Sequence, residues 1–67
     1  MTLAQRIKEL RFKHDYTLNQ LAQKSGVGKA TLSRIENNQT LGTIQSLVKI
    51  AKALNMDIKE LLAVVEF

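Results

Sequence analysis

At three places just ahead of an apolar-periodic run, a short polar side chain stands three positions before a longer one that can fold back on it: Thr2 with Gln5, Thr17 with Gln20, and Asp57 with Glu60. This is the pattern of the capping box. The first side chain accepts an orphaned amide of a helix's opening turn, and the second returns to the amide of the cap itself. A chain punctuated in this way, with no proline and only three glycines, is committed to a succession of helices. No stretch alternates apolar and polar residues for long enough to read as a half-buried strand.

The boundaries follow from the caps. Thr2 opens a helix running to about Lys13, with Leu3, Ile7 and Leu10 on one stripe. Thr17 opens a short one from Leu18 to about Lys24, and Tyr16 with Leu21 has the spacing of a hydrophobic staple. Ser25 and Gly26 stop it, since glycine takes the left-handed conformation of a helix end without cost. After Val27, Gly28 serves as N-cap of a third helix from Lys29 to about Asn37, with Leu32 and Ile35 inward and Val27 with Leu32 as a second staple pair. The polar loop Asn37-Asn38-Gln39-Thr40 offers an asparagine for a left-handed cap. Thr43 caps a fourth helix, placing Ile44, Leu47, Val48, Ala51 and Leu54 inward and Lys49 and Lys52 outward. Asp57 opens the fifth, stapled by Met56 and Leu61, with Ile58, Leu61, Leu62 and Val65 on its inner stripe. The expected fold is all-α: one compact five-helix bundle, residues 1–67, as a single domain.

Size and charge narrow the function. A domain this small buries only about 60% of its unfolded surface, and without cysteine it has no disulfide or thiolate metal site. No cofactor or metal is expected. The longest apolar run, Leu61 to Val65, is too short to span a bilayer. The N-terminus, with Arg6, Lys8 and Glu9, lacks a signal-peptide core, so the expectation is a cytoplasmic protein that does not engage membranes. Residues 1–34 carry seven basic and two acidic side chains, and residues 35–67 carry three and four. A one-sided basic field attracts polyanions, which makes nucleic acid or an anionic membrane surface the leading partner class. The membrane reading competes on charge but not on pattern, since its basic residues would line one polar face opposite a lipid-facing stripe. An enzyme is the weakest reading, with one histidine, no glycine-rich phosphate loop after a strand, and too little chain to enclose a substrate.

The segment Leu18 to Ile35 holds two short helices joined by about four residues around Gly26. Helices so close must cross steeply, which requires a small residue at the contact and a permissive one in the turn; Ala22 and Gly26 supply them. Leu21, Leu32 and Ile35 anchor the pair, leaving Lys29, Ala30, Ser33, Arg34 and Asn37 on the outer face of the second helix. This is the arrangement of a helix-turn-helix, whose second helix enters a major groove. From Thr17 to Asn37 the sequence resembles the lambda-repressor-like helix-turn-helix proteins: phage repressors, Cro proteins and XRE-type regulators. Leu47 to Leu54 and Asp57 to Leu62 resemble that family's fourth and fifth helices, so the likeness covers essentially the whole chain.

The resemblance implies a sequence-specific DNA-binding transcriptional regulator, of repressor or controller type, acting as a homodimer on a palindromic operator. By matched position it implies that Lys29, Ala30, Ser33 and Arg34 face base edges and that Thr17, Asn37, Gln39 and Thr40 hold phosphates. The free amides of Leu18 and Asn19 at a helix start are a ready phosphate site, and Arg34 is able to bond guanine bidentately. Arg11 and Glu36 are expected to form a structural ion pair. Val64 and Phe67 fall off the inner stripe of the last helix, which makes them the expected dimer contact. The chain departs from the family at three places. Leu18 replaces a frequent phosphate-gripping glutamine, Asn37 to Gly42 contains neither proline nor basic residue, and Asp15 stands where a glycine usually ends the first helix. His14, Lys49 and Lys52 are read as solvated residues. The rival function is a DNA-binding antitoxin that also holds a toxin protein.

Overall fold

Each predicted cap is where a helix begins. The computed structural model describes residues 1–67 and contains α1 (Leu3–Lys13), α2 (Leu18–Ser25), α3 (Lys29–Glu36), α4 (Ile44–Ala53) and α5 (Ile58–Leu62). The boxes at Thr2 and Thr17 are complete, with the Gln5 and Gln20 amides donating to the threonine hydroxyls and the glutamine side chains accepting from the threonine amides. Thr43 and Ser46 form a further box that the sequence reading did not anticipate. The expected box at Asp57 is half formed: the carboxylate accepts from the Glu60 amide, but the Glu60 side chain does not reach back.

Three helices leave in the same way. At the ends of α1, α3 and α4 the chain turns through Asp15 (φ 56°), Asn38 (φ 61°) and Asn55 (φ 59°). The next amide returns to a carbonyl five residues earlier: Tyr16 to Arg11 at 3.1 Å, Gln39 to Arg34 at 2.9 Å and Met56 to Ala51 at 3.0 Å. This closure satisfies carbonyls that a helix end leaves orphaned. Asp and Asn tolerate the left-handed region better than other side chains bearing a Cβ, which is why the chain manages without glycine there. The left-handed asparagine of the loop is thus Asn38; Asn37 stays at φ −96°.

The core is a single cluster that includes Leu3, Ile7 and Leu10 of α1, Leu21 of α2, Leu32 and Ile35 of α3, Leu47, Ile50, Ala51 and Leu54 around α4, and Leu61 of α5. α2 packs on α3 and α4, α1 on α3 and α5, and α4 on α5. Two inward expectations on α4, Ile44 and Val48, need correction; Val48 is half-buried and outside the core cluster. Ile44, placed inside by its spacing, is 69% exposed, whereas Ile50, not assigned to the core, is fully buried. Ile44 is the first residue of α4 and precedes the turn at which that helix meets the core. The inner stripe of α4 is Leu47, Ile50, Ala51 and Leu54. The last helix is also shorter than its apolar pattern, ending at Leu62; Val65 still packs against the core from the segment beyond it.

The two ends of the chain meet. The Met1 ammonium lies 2.8 Å from Glu66 Oε1, and the Glu66 amide donates to the Met1 carbonyl at 2.9 Å. That ammonium, by hydrogen bond and by charge, lowers the Glu66 pKa from its ordinary value. Arg6 donates to the carbonyls of Leu61 and Glu60 at 3.1 and 3.0 Å, tying α1 to the end of α5. No helix is long and apolar enough to cross a membrane.

Candidate nucleic-acid interface

The turn between α2 and α3 is three residues, Gly26, Val27 and Gly28. Gly26 adopts φ 74° and donates its amide to the Ala22 carbonyl at 2.9 Å. Ser25, read from sequence only as a stop, is buried and straps the turn: its hydroxyl donates to the Ala22 carbonyl and accepts from the Val27 amide. Val27 is buried in the core, so the turn is pinned inward and α3 is projected outward.

On α3 the two faces are sharply different. Leu32, Ile35 and Glu36 are buried, while Lys29, Ala30 and Arg34 are exposed and Ser33 is half-buried. The four residues expected at base edges therefore share the outward side of one helix. Lys29 and Arg34 bring positive charge, Ser33 a hydroxyl, and Ala30 a methyl group small enough for close approach.

The phosphate expectations fare less evenly. Thr17 uses its hydroxyl oxygen as an acceptor for the Gln20 amide, so its proton is available, and the first-turn amides of Leu18 and Asn19 point out of the helix start. Asn19, Gln39 and Thr40 are exposed, and Leu18 is half-buried against the core. Asn37 departs from the expectation. Its Nδ2 donates to the Ser33 carbonyl at 2.9 Å and to Ser33 Oγ at 3.3 Å, so the donors that were to hold a phosphate are engaged within α3.

Beneath this surface, Arg11 meets Glu36 in a forked pair, with Nε to Oε2 at 2.8 Å and Nη2 to Oε1 at 2.9 Å. Its remaining arm donates to the Tyr16 carbonyl at 3.0 Å. One guanidinium thus joins the end of α3 to the residue just ahead of the α2 cap. The Arg11 side chain is 12% exposed and that of Glu36 5%. Sequence reasoning also missed a small aromatic assembly beside the α2 start. The Tyr16 ring stacks with His14, centroids 5.4 Å apart, and carries the Lys24 ammonium 5.4 Å from its centre. His14 is therefore half-buried against a ring rather than free in solvent. Residues 16 and 24 share no helical register, so no periodicity signals their meeting.

Val64 and Phe67 are 52% and 81% exposed. The helical angles that set them off the inner stripe do not apply, because both lie beyond the end of α5. Leu41, in the loop before α4, and Ile44, the first residue of that helix, are also exposed, at 52% and 69%.

The helix-turn-helix family pattern matches residues 7–61. The chain is 44% identical over 61 residues to the HTH-type transcriptional regulator SinR of Bacillus subtilis, covering 90% of this chain and 55% of that protein. It is 35% identical over 54 residues to the antitoxin HipB of Escherichia coli, covering 81% of this chain and 61% of HipB. A solved structure described as the master regulator for biofilm formation SinR in complex with DNA superposes with a TM-score of 0.84 at 40% identity, covering 91% of this chain and 98% of that one. The chain spans just over half the length of SinR. With a pattern match across most of its residues, and with α2, the glycine turn and α3 arranged as described, this chain belongs to the XRE-type helix-turn-helix family.

Proposed function

We propose that this chain is the DNA-binding domain of a transcriptional regulator and that α3 enters the major groove of duplex DNA. The observation that carries the reading is the outward side of α3. Lys29, Ala30, Ser33 and Arg34 are presented there on a helix whose other side is locked into the core. The likeness to the SinR structure in complex with DNA supports it. In this reading Arg34 reads a base directly, Lys29 reads a base or steers, and Thr17 with the Leu18 and Asn19 amides binds the phosphate at the start of α2. Gln39 and Thr40 bind phosphate by neutral hydrogen bonds. A homodimer, joined through Val64 and Phe67, would place two α3 helices about 34 Å apart on a palindromic operator. The reading assigns a cytoplasmic protein without catalytic chemistry.

Binding-site selection on random duplex DNA tests this. The expected result is an enriched half-site, repeated with two-fold symmetry at about one helical turn. Enrichment of no sequence at low salt refutes the reading. The likeness to antitoxin HipB favours a second reading, in which the domain also binds a toxin protein. Co-purification of a toxin chain supports it, and selective duplex binding by the chain alone supports an autonomous regulator.

A further inference from the structure

Among Lys29, Ala30, Ser33 and Arg34, Ser33 is the residue whose side-chain hydrogen bonding is set from within the protein. Asn37, one turn on, folds back over it. Its Nδ2 lies 2.9 Å from the Ser33 carbonyl oxygen and 3.3 Å from Ser33 Oγ. A carbonyl oxygen only accepts, so the end of the amide that faces it is the NH2 group. An NH2 group only donates, so Oγ is the acceptor in the second contact. One of the hydroxyl's acceptor positions is thereby filled and its proton is turned away from Asn37.

A serine inside a helix often returns its proton to the carbonyl four residues earlier. Here Ser33 Oγ makes no hydrogen bond within the protein other than the one from Asn37, which leaves the proton for the outward side. Accepting from an amide also strengthens a hydroxyl as a donor, because successive hydrogen bonds polarise one another. Ala30, one turn back and exposed, bears only a methyl group and lets a groove floor approach as short a side chain as serine.

We propose that Asn37 is a positioning residue that fixes the Ser33 hydroxyl as a donor toward DNA. Ser33 then favours a base edge presenting an acceptor, such as N7 or O6 of guanine, over one presenting an amino group, such as N4 of cytosine, because one of its two acceptor positions is already taken while its proton is free. An unconstrained serine serves either kind of edge. The inference rests on the DNA-binding reading above and replaces the phosphate role expected for Asn37 with an indirect role in base choice.

The test is binding-site selection with the wild type, Ser33→Ala, Asn37→Ala and the double variant, with circular dichroism verifying that each is folded. The wild type is expected to prefer an acceptor-bearing base at one position. Ser33→Ala lowers that discrimination about 2- to 10-fold, the worth of one hydrogen bond. Asn37→Ala lowers it about 2- to 5-fold at the same position only, and the double variant loses no more than Ser33→Ala alone. Asn37→Asp supplies an independent check. A carboxylate only accepts, so it can donate neither to the Ser33 carbonyl nor to Oγ, and the preference for an acceptor-bearing base at that position falls as it does in Asn37→Ala. A uniform loss of affinity in Asn37→Ala, full additivity with Ser33→Ala, or unchanged base choice in Ser33→Ala overturns the inference while leaving DNA binding intact. A wild-type chain that enriches no sequence overturns the DNA reading and this inference with it.

Discussion

Replacing Glu36 with glutamine changes almost nothing in shape and removes one charge, which makes it a sharp probe of the pair beneath the interface. In the native domain Arg11 donates two bonds to Glu36, at 2.8 and 2.9 Å, and one to the Tyr16 carbonyl. Glutamine keeps a single acceptor and turns an NH2 group toward a guanidinium that only donates. Stranding a buried charge costs about 3 to 5 kcal/mol. The Arg11 side chain retains 12% exposure and its bond to Tyr16, which brings the expected cost to about 2 to 3 kcal/mol. A domain of this length holds about 3 to 10 kcal/mol in total, so the loss consumes a large share of it. At about 4 to 8 °C per kcal/mol, the melting temperature falls by roughly 8 to 24 °C. Urea unfolding followed by far-ultraviolet circular dichroism measures the change directly. The companion variant Arg11→Met with Glu36→Leu strands no charge and should be less destabilised than Arg11→Met alone, since well-packed apolar replacements of buried pairs are often near neutral. A Glu36→Gln domain within about 0.5 kcal/mol of wild type, the scatter of ordinary surface substitutions, would refute the argument.

Arg34→Ala is expected to weaken specific DNA binding by about 1 to 3 kcal/mol and to relax preference at one base pair; equal losses on cognate and random duplexes in a binding titration would reduce Arg34 to a phosphate contact. Val64→Ser combined with Phe67→Ser should lower dimerisation in sedimentation while leaving helical content nearly unchanged, because both residues are exposed beyond the end of α5; an unchanged dimer would move the interface to Leu41 and Ile44. Gly42→Ala should destabilise more than Gly26→Ala in urea. Both glycines have positive φ, but a Cβ on Gly42 would lie 2.9 Å from Ile35 Cδ1 and 2.8 Å from Ser46 Oγ, whereas one on Gly26 meets nothing within 4 Å. The left-handed cost is about 1 kcal/mol at either site, and overpacking adds about 1 to 3 kcal/mol at Gly42. Equal losses would show that the Ile35 side chain yields freely.

What could be read from sequence was local. Thr2, Thr17 and Gly26 announce themselves because capping and left-handed turns are settled within four or five residues. Ile44 was misplaced because the spacing of three and four residues extends backward as readily as forward, and nothing local marks where α4 first touches the core. Ile50 fits the same spacing from Leu47 to Leu54, yet only the packing of α4 against α2 and α5 decides which stripe is innermost. The meeting of Arg11 with Glu36, 25 residues apart, is a property of α1 lying on α3; the family likeness suggested it and periodicity did not. Asn37 shows the opposite limit. Its partner is one turn away, but an exposed amide has a choice between its own helix and a ligand that residue type leaves open.

The closure of Met1 on Glu66 bears on which breaks the chain tolerates. Because Met1 and Glu66 lie within hydrogen-bond reach of each other, a linker of a few residues from Phe67 to Met1 would close residues 1–67 into a ring. A ring has no first helix. Reopening it in the exposed stretch from Gln39 to Leu41 would yield a permuted chain beginning with α4 and α5 and finishing with α1, α2 and α3. Every core neighbour would be preserved and the strapped turn at Gly26 untouched. The Leu3, Ile7 and Leu10 stripe would then find α5 already synthesised, while α3 would still follow it. Helicity and DNA affinity matching the native chain would show that the interface depends on how the five helices pack, with their order along the polypeptide an incidental property.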